Sequence, residues 1–286
     1  MEGEQQTAPP KPVRADVLLA RMHPEYSRAA LAKLFSSGLV MAGDRTLKAG
    51  DKLPASTTLR ADLTPLQPVT TAIDLPILYE NDNCVVINKP AGVLTHAQGT
   101  FNPEPTVASF LRSRTQDLDG ERAGVVHRLD RATSGVLIGA KNQAALSFLQ
   151  KQFARRNVKK AYVAIVEGHL APKEAIIDMP IQRNPKAPAT FRVGAGGKPA
   201  VTQYRVLQEN DKYSMLELAP ETGRTHQLRV HLQKIGHPIV GDPLYGRGKY
   251  GDRLYLHALS LEITLPGGAR KLFTAPLPKE FNELIA

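Results

Sequence analysis

His127-Arg128-Leu129-Asp130-Arg131-Ala132-Thr133-Ser134-Gly135 lies between two apolar runs, Gly124-Val125-Val126 and Val136-Leu137-Ile138. The pattern places a carboxylate flanked by two arginines in a tight polar loop that joins core strands. Two readings stand side by side at this point. One is a solvated turn held by surface ion pairs, which are worth only about 0–1 kcal/mol each. The other is a carboxylate presented for chemistry at the end of a buried strand.

Around this loop the chain reads as a mixed α+β domain rather than a doubly wound sheet. Strand-like runs cover 84–88, 135–140, 162–167, 200–207, 213–219 and 256–265, several of them alternating apolar and polar residues. One clear helix covers 142–156, with Leu146, Leu149 and Phe153 on one stripe. Many strands with few helices, out of regular alternation, exclude a βαβ repeat. Upstream, 14–53 forms a compact basic unit with seven Lys or Arg against four acids. Within it a short helix is expected over 16–22. A second helix is capped by Ser27, runs through Ala30, Leu31, Leu34 and Phe35, and stops at Gly38. Residues 54–74, rich in Thr and Pro, read as a linker. Residues 1–13, polar and Pro-rich without a basic start or apolar centre, read as a disordered tail and not a signal peptide.

Composition narrows the partners. The formal net charge of +10 and pI near 9.7 favour a polyanion, with nucleic acid ahead of an anionic membrane. No run of 18 apolar residues suggests a membrane-spanning helix. The single cysteine, Cys84, excludes an internal disulfide and sits in the apolar run Cys84-Val85-Val86-Ile87, where a buried structural role is expected.

Two further polar clusters stand out. Thr222-Gly223-Arg224-Thr225-His226-Gln227-Leu228-Arg229-Val230-His231 is basic and precedes Gly241-Asp242-Pro243-Leu244-Tyr245-Gly246. Arg229 would keep Asp130 ionised if the two met in space. The His226 to His231 spacing suits neither one helix face nor one strand face, and no metal-ligand spacing is present. The third cluster, 151–160, holds five basic residues and no acid and ends at Tyr162, as a phosphate-and-base contact surface would.

Taken in order, these segments resemble the RluA-type pseudouridine synthases. The resemblance covers 75–278 and rests on seven motifs in register. The first two are Leu78-Tyr79-Glu80 with Asn88-Lys89-Pro90-Ala91-Gly92, and His127-Arg128-Leu129-Asp130 through Ala140-Lys141. The next two are Lys159-Lys160-Ala161-Tyr162 and Gly197-Lys198-Pro199-Ala200 with Thr202. The last three are the Thr222–His231 run, Gly236-His237-Pro238-Ile239 with Gly241-Asp242-Pro243, and Leu256-His257-Ala258. Residues 14–53 more weakly resemble the αL RNA-binding domain through Ser27-Arg28, Gly38-Leu39-Val40 and Lys48-Ala49-Gly50-Asp51, with 40–48 shortened.

The resemblance implies a mostly antiparallel sheet in a catalytic domain over 75–286. It also implies an enzyme that breaks the uridine C1′–N1 bond and rejoins the base through C5, with no metal or cofactor. Asp130 is the implied nucleophile, Arg229 its partner and Tyr162 the ring beside the base. Arg128 would fill the space left by the flipped base. His127, Arg131, Leu228, Lys160 and Arg224 are the further implied substrate contacts. The expected substrate is ribosomal RNA, of the large subunit first, then transfer RNA. No DNA, no membrane, a monomer and a cytoplasmic location are expected. Two rival readings remain: an RNA-binding protein without catalysis, and a metal-dependent nuclease using the histidines and Asp242.

Overall fold

The computed structural model describes residues 12–66, 73–97, 104–116, 118, 122, 124–247 and 253–286. They fall into two compact units, the smaller within 1–69 and 97–104, the larger within 70–96 and 105–286.

The smaller unit holds β1 (Val13–Arg14), α1 (Ala15–Met22), α2 (Arg28–Ser36), β2 (Val40–Ala42), β3 (Arg45–Thr46), β4 (Lys52–Leu53) and β5 (Arg60–Ala61). The Ser27 side chain accepts the Ala30 N–H, as the cap reading requires, and Gly38 takes φ +70° just past the end of α2. Gly43-Asp44 makes the two-residue turn between β2 and β3. Leu18, Leu19, Leu31, Leu34 and Phe35 pack with Val40, Leu47 and Leu53 into one core. Leu59 and Leu66 complete that core, and β5 pairs with β2, so 54–66 belongs to this unit rather than to a linker. The polar spacing of 54–66 concealed two buried leucines that tertiary packing recruits. The expected tail, 1–13, lies mostly outside the described residues, but Val13 is already in β1, paired with Leu53.

The larger unit contains β6 (Ile77–Glu80), β7 (Cys84–Lys89), α3 (Val107–Arg112), β8 (Ser134–Ala140), α4 (Gln143–Ala154), β9 (Lys159–Glu167) and β10 (Glu174–Asp178). It continues with β11 (Ile181–Arg183), β12 (Phe191–Val193), β13 (Val201–Glu209), β14 (Tyr213–Pro220), α5 (Gln227–Lys234), β15 (Leu256–Thr264), β16 (Arg270–Thr274) and α6 (Lys279–Ile285). Its sheet runs β10-β13-β14-β9-β15-β8-β7-β6, with β16 on β15, and all pairs are antiparallel except β15 with β8. The fold is therefore α+β with a mixed, mostly antiparallel sheet.

The central strands are apolar on both faces because helices cover both. Cys84 and Val86 face the cluster that includes Leu149 of α4, while Val85 and Ile87 face Phe110 and Leu111 of α3. On β9, Ala164 and Val166 meet Leu228 and Leu232 of α5, while Val163 and Ile165 meet Phe281 and Ile285 of α6. That two-sided burial is why these strands read as continuous apolar runs. Cys84 is fully buried, as its context predicted. No helix among the described residues is long and apolar enough to cross a membrane.

Candidate active site

The 126–133 loop leaves the sheet at the start of β8, and neighbouring backbone fixes it there. Gly135, at φ +113°, lets β8 approach β15: a Cβ there would lie 2.2 Å from the Ala258 carbonyl oxygen. The loop is then clamped by the segment that follows β7. Thr95 Oγ1 donates to the Leu129 carbonyl (2.8 Å) and accepts the Leu129 N–H (3.2 Å). The Arg131 carbonyl accepts from Gly92 N–H (2.8 Å) and from Lys89 Nζ (3.2 Å). Lys89 is fully buried and also donates to the Pro90 and Val93 carbonyls, both at 2.8 Å. Burial pulls its pKa down to about 7, against the upward pull of Asp130.

Asp130 emerges from this clamp facing α5. Arg229 Nη1 donates to Asp130 Oδ2 at 3.2 Å, closing 99 residues of sequence separation. The stronger tie of Arg229 is to Asp242, whose two oxygens accept Nε and Nη2 at 2.7 Å each. Asp242 Oδ1 also accepts the N–H groups of Leu244 and Tyr245 (2.9 and 3.1 Å), and its carboxylate is wholly buried. A bidentate pair of this kind fixes the plane of the guanidinium as well as its charge. Burial works against the charge on Arg229, but the two carboxylates outweigh it and raise its pKa. The order Asp242–Arg229–Asp130 therefore aims one remaining N–H of a rigidly held arginine at Asp130.

Helix α5 could not be read from periodicity because six consecutive residues, 227–232, are buried and polar side chains alternate with apolar ones among them. Gln227 satisfies all four side-chain positions: Oε1 accepts from Thr222 Oγ1 (2.7 Å) and Arg224 N–H (3.0 Å), and Nε2 donates to the Val201 carbonyl (2.9 Å) and Thr202 Oγ1 (3.0 Å). His231 lies 3.0 Å from Thr202 Oγ1 and 2.9 Å from the Met179 carbonyl. Such a satisfied network rigidifies the helix that carries Arg229. His226 precedes the helix in the left-handed region (φ +56°), its ring 2.8 Å from Tyr245 Oη and 3.8 Å from Asp130 Oδ2.

A small pocket of about 120 Å³ is lined by Arg128, Asp130, Lys160, Tyr162, Arg224, Leu228 and Arg229, among others. Seven of the nine expected site residues thus converge. Arg128, Lys160, Tyr162 and Arg224 also line an adjoining cleft of about 790 Å³, together with His127, Arg122 and Arg156. Among the described residues that line it, Glu221 is the one acid against Arg122, Arg128, Arg156, Lys160 and Arg224, so this lining is electropositive. Tyr162 sits on β9 opposite Ala258 and Leu218. Burial, and then the charge of Asp130, push its phenol above the ordinary range. Lys160 is brought down to about 8 by burial and then by Arg156, and donates to the Thr222 carbonyl at 3.3 Å.

His127 and Arg131, the other two expected contacts, lie outside the small pocket and make interactions within the protein. The His127 ring stacks on Phe153 (4.5 Å between centroids, 19°) and accepts the Ile138 N–H (3.2 Å), so it serves the wall of the cleft. Arg131 lines neither cavity, and its Nε donates to the Gly92 carbonyl at 3.0 Å. Tyr245, Lys89 and Thr95 have no role assigned from sequence, and Asp242 has one only in the nuclease reading. Lys89, Asp242 and Tyr245 lie within the motif runs 88–92 and 241–246, which are the available signal, and Thr95 lies in neither. Among the described residues no group of three His, Cys, Asp or Glu could hold a metal ion. Asp242, the nuclease reading's ligand, is saturated by Arg229 and backbone.

Three histidines in this unit are held neutral. Burial, then the charge of Lys160, lowers His127 to about 3. Burial, then Arg128 and Arg122, lowers His96 to about 4. Burial lowers His257 to about 4, with a smaller downward push from Arg253. All three folded values lie below the ordinary 6.5, so the unfolded chain binds more protons between about pH 6.5 and 4. Stability should fall on acidification through that window, by up to about 1.4 kcal/mol per pH unit for each group. Urea unfolding at about pH 7 and about pH 5 measures this, and equal midpoints would contradict it.

Residues 83–234 match the family model described as RNA pseudouridylate synthase. The chain is 37% identical to an uncharacterised RNA pseudouridine synthase of Synechocystis sp., over 96% of this chain and 88% of the relative. It is 35% identical to the ribosomal large subunit pseudouridine synthase D of Neisseria meningitidis, over 96% and 78%. Among solved structures, human RNA pseudouridylate synthase domain containing 1 superposes with a TM-score of 0.60 at 33% identity, covering 71% of this chain and 83% of that one. The site geometry and these similarities agree, and the chain belongs to the RNA pseudouridine synthase family, enzymes that isomerise uridine in RNA.

Proposed function

We propose that this enzyme modifies specific uridines of large-subunit ribosomal RNA, with Asp130 as the nucleophile. The observation that carries the proposal is the chain Asp242–Arg229–Asp130, which ends in a small pocket opening on a basic cleft. In the reaction the C1′–N1 bond breaks, the base turns, and a C1′–C5 bond forms. C5 loses its proton and N1 gains one, so the net change is an isomerisation. A carboxylate suits the task because it attacks carbon as an anion and departs as one. Arg229 sets a guanidinium N–H against that carboxylate at 3.2 Å.

The target uridine must leave its stack to reach Asp130. Arg128, exposed on the cleft wall and within 3.4 Å of His96 Nε2, is placed to occupy the vacated space. Tyr162 acts beside the base as a neutral phenol, since its environment disfavours the phenolate; it packs and donates rather than serving as a free base. Lys160, Arg156 and Arg122 provide backbone contacts that position the RNA without reading its sequence. The test is to incubate the enzyme with unmodified large-subunit, small-subunit and transfer RNA and to map pseudouridine by carbodiimide-dependent stops. Marks confined to large-subunit RNA are expected, and marks only in transfer RNA would redirect the substrate.

The smaller unit is proposed as an αL-type RNA contact, supported by its exposed Arg21, Lys33 and Lys48. Replacing these three by Ala should weaken RNA binding and flatten its salt dependence by up to about two in slope, as lost phosphate contacts do. An unchanged slope in filter binding across a salt series would remove this unit from the RNA interface.

A further inference from the structure

His226 occupies a position that its own backbone does not favour. A non-glycine residue in the left-handed region is disfavoured and persists where the surroundings impose it. At the N-terminus of α5 its side chain makes no capping bond, although this is where Ser, Thr, Asp or Asn is normally used. The ring is instead held by aromatic edges, with Phe191 and Tyr245 each 5.6 Å away at 78° and 79°.

Tyr245 Oη accepts the Phe191 N–H at 2.8 Å and lies 2.8 Å from His226 Nδ1. That arrangement leaves the phenol proton free to point to Nδ1, and the tautomer that accepts it carries its hydrogen on Nε2. Nε2 lies 3.8 Å from Asp130 Oδ2, the same oxygen that Arg229 Nη1 approaches to 3.2 Å. Among the described residues no side chain donates to Oδ1. Tyr245 also packs under the Arg229 guanidinium, 5.0 Å from its ring centroid, and so supports both groups that face Oδ2. The other charged groups around the ring are Asp242 and Arg128.

We propose that His226, oriented by Tyr245, is a positioning residue whose Nε2–H holds Oδ2 of Asp130 together with Arg229, leaving Oδ1 as the attacking oxygen. This rests on the reading of Asp130 as nucleophile. Substrate binding shortens the Nε2–Oδ2 approach, as such contacts tighten when water is expelled. The role is to fix which lone pair meets carbon, and a misplacement of about 1 Å in such a group costs on the order of 100-fold in rate.

The experiment measures kcat and KM by release of tritium from RNA carrying 5-tritiated uridine, for wild type, His226→Leu, His226→Gln, Tyr245→Phe and Asp130→Asn. His226→Leu should lower kcat about 10- to 100-fold with KM within about twofold, because the loss is in orientation and not in RNA binding. His226→Gln, whose amide can donate from the place of Nε2, should recover most of that loss. Tyr245→Phe keeps the ring but frees its tautomer and should lower kcat by a smaller factor. A wild-type kcat in His226→Leu overturns the proposal, as does a His226→Gln rate as low as that of Leu, or a loss confined to KM. If His226→Leu does not fold, Tyr245→Phe decides: an unchanged kcat overturns the proposal. Turnover by Asp130→Asn would instead strike the underlying nucleophile reading, so the two failures are distinguishable.

Discussion

Asp130→Asn is expected to abolish turnover while leaving RNA affinity within a few fold. The substitution keeps the volume of the side chain and its place in the clamped 126–133 loop. It removes the negative charge and the nucleophilic oxygen. The electropositive cleft is untouched, since Arg122, Arg128, Arg156 and Lys160 supply its charge. Binding depends on phosphate neutralisation, which a carboxylate does not provide. Fold is preserved because Leu129 and Arg131, the residues on either side, carry the backbone bonds to Thr95, Gly92 and Lys89. Tritium release and filter binding on the same preparation measure the two effects. A variant that turns over at near-normal rate would sink the assignment.

Asp242→Ala should have the largest effect on stability. It leaves Arg229, only 4% exposed, with the single contact to Asp130 at 3.2 Å in place of a bidentate pair at 2.7 Å. It also orphans the N–H groups of Leu244 and Tyr245. Removing one partner of a buried pair costs about 3–5 kcal/mol, because the remaining charge stays desolvated. Activity should fall too, since an unanchored guanidinium no longer fixes Asp130. Urea unfolding reports the first effect, and a loss below about 1 kcal/mol would show that Arg229 finds another partner or water. Asp242→Asn, which retains one acceptor for those amides, should fall between wild type and Ala.

The two results separate what the sequence carried from what only folding reveals. The strands were legible because apolar runs such as Val136-Leu137-Ile138 leave few alternatives, and α4 because its stripe has helical period. Helix α5 was not legible: Gln227, Arg229 and His231 are buried along with Leu228, Val230 and Leu232, so apolar and polar residues alternate inside and no 3.6-residue apolar stripe forms. The same inversion explains the site. Asp130 by charge pattern alone was as well read as a solvated turn. Its partner Arg229 followed from the family motif, but the anchor Asp242 did not. An acid beside Gly and Pro in Gly241-Asp242-Pro243 reads as a turn residue, and it does accept two turn amides. Its second function, orienting Arg229, exists only once α5 is docked. Residues 54–66 failed for a simpler reason: three leucines, 59, 63 and 66, are spread through a stretch rich in Thr and Pro whose composition reads as a linker.

The proposed role of Asp130 in isomerising uridine of large-subunit ribosomal RNA is open to test in cells lacking the gene, complemented with either wild type or Asp130→Asn, by mapping pseudouridine across ribosomal RNA at nucleotide resolution. One or more large-subunit positions are expected to lose pseudouridine in the deletion strain and to regain it with wild type only. Restoration by Asp130→Asn, or no position that changes at all, would contradict it.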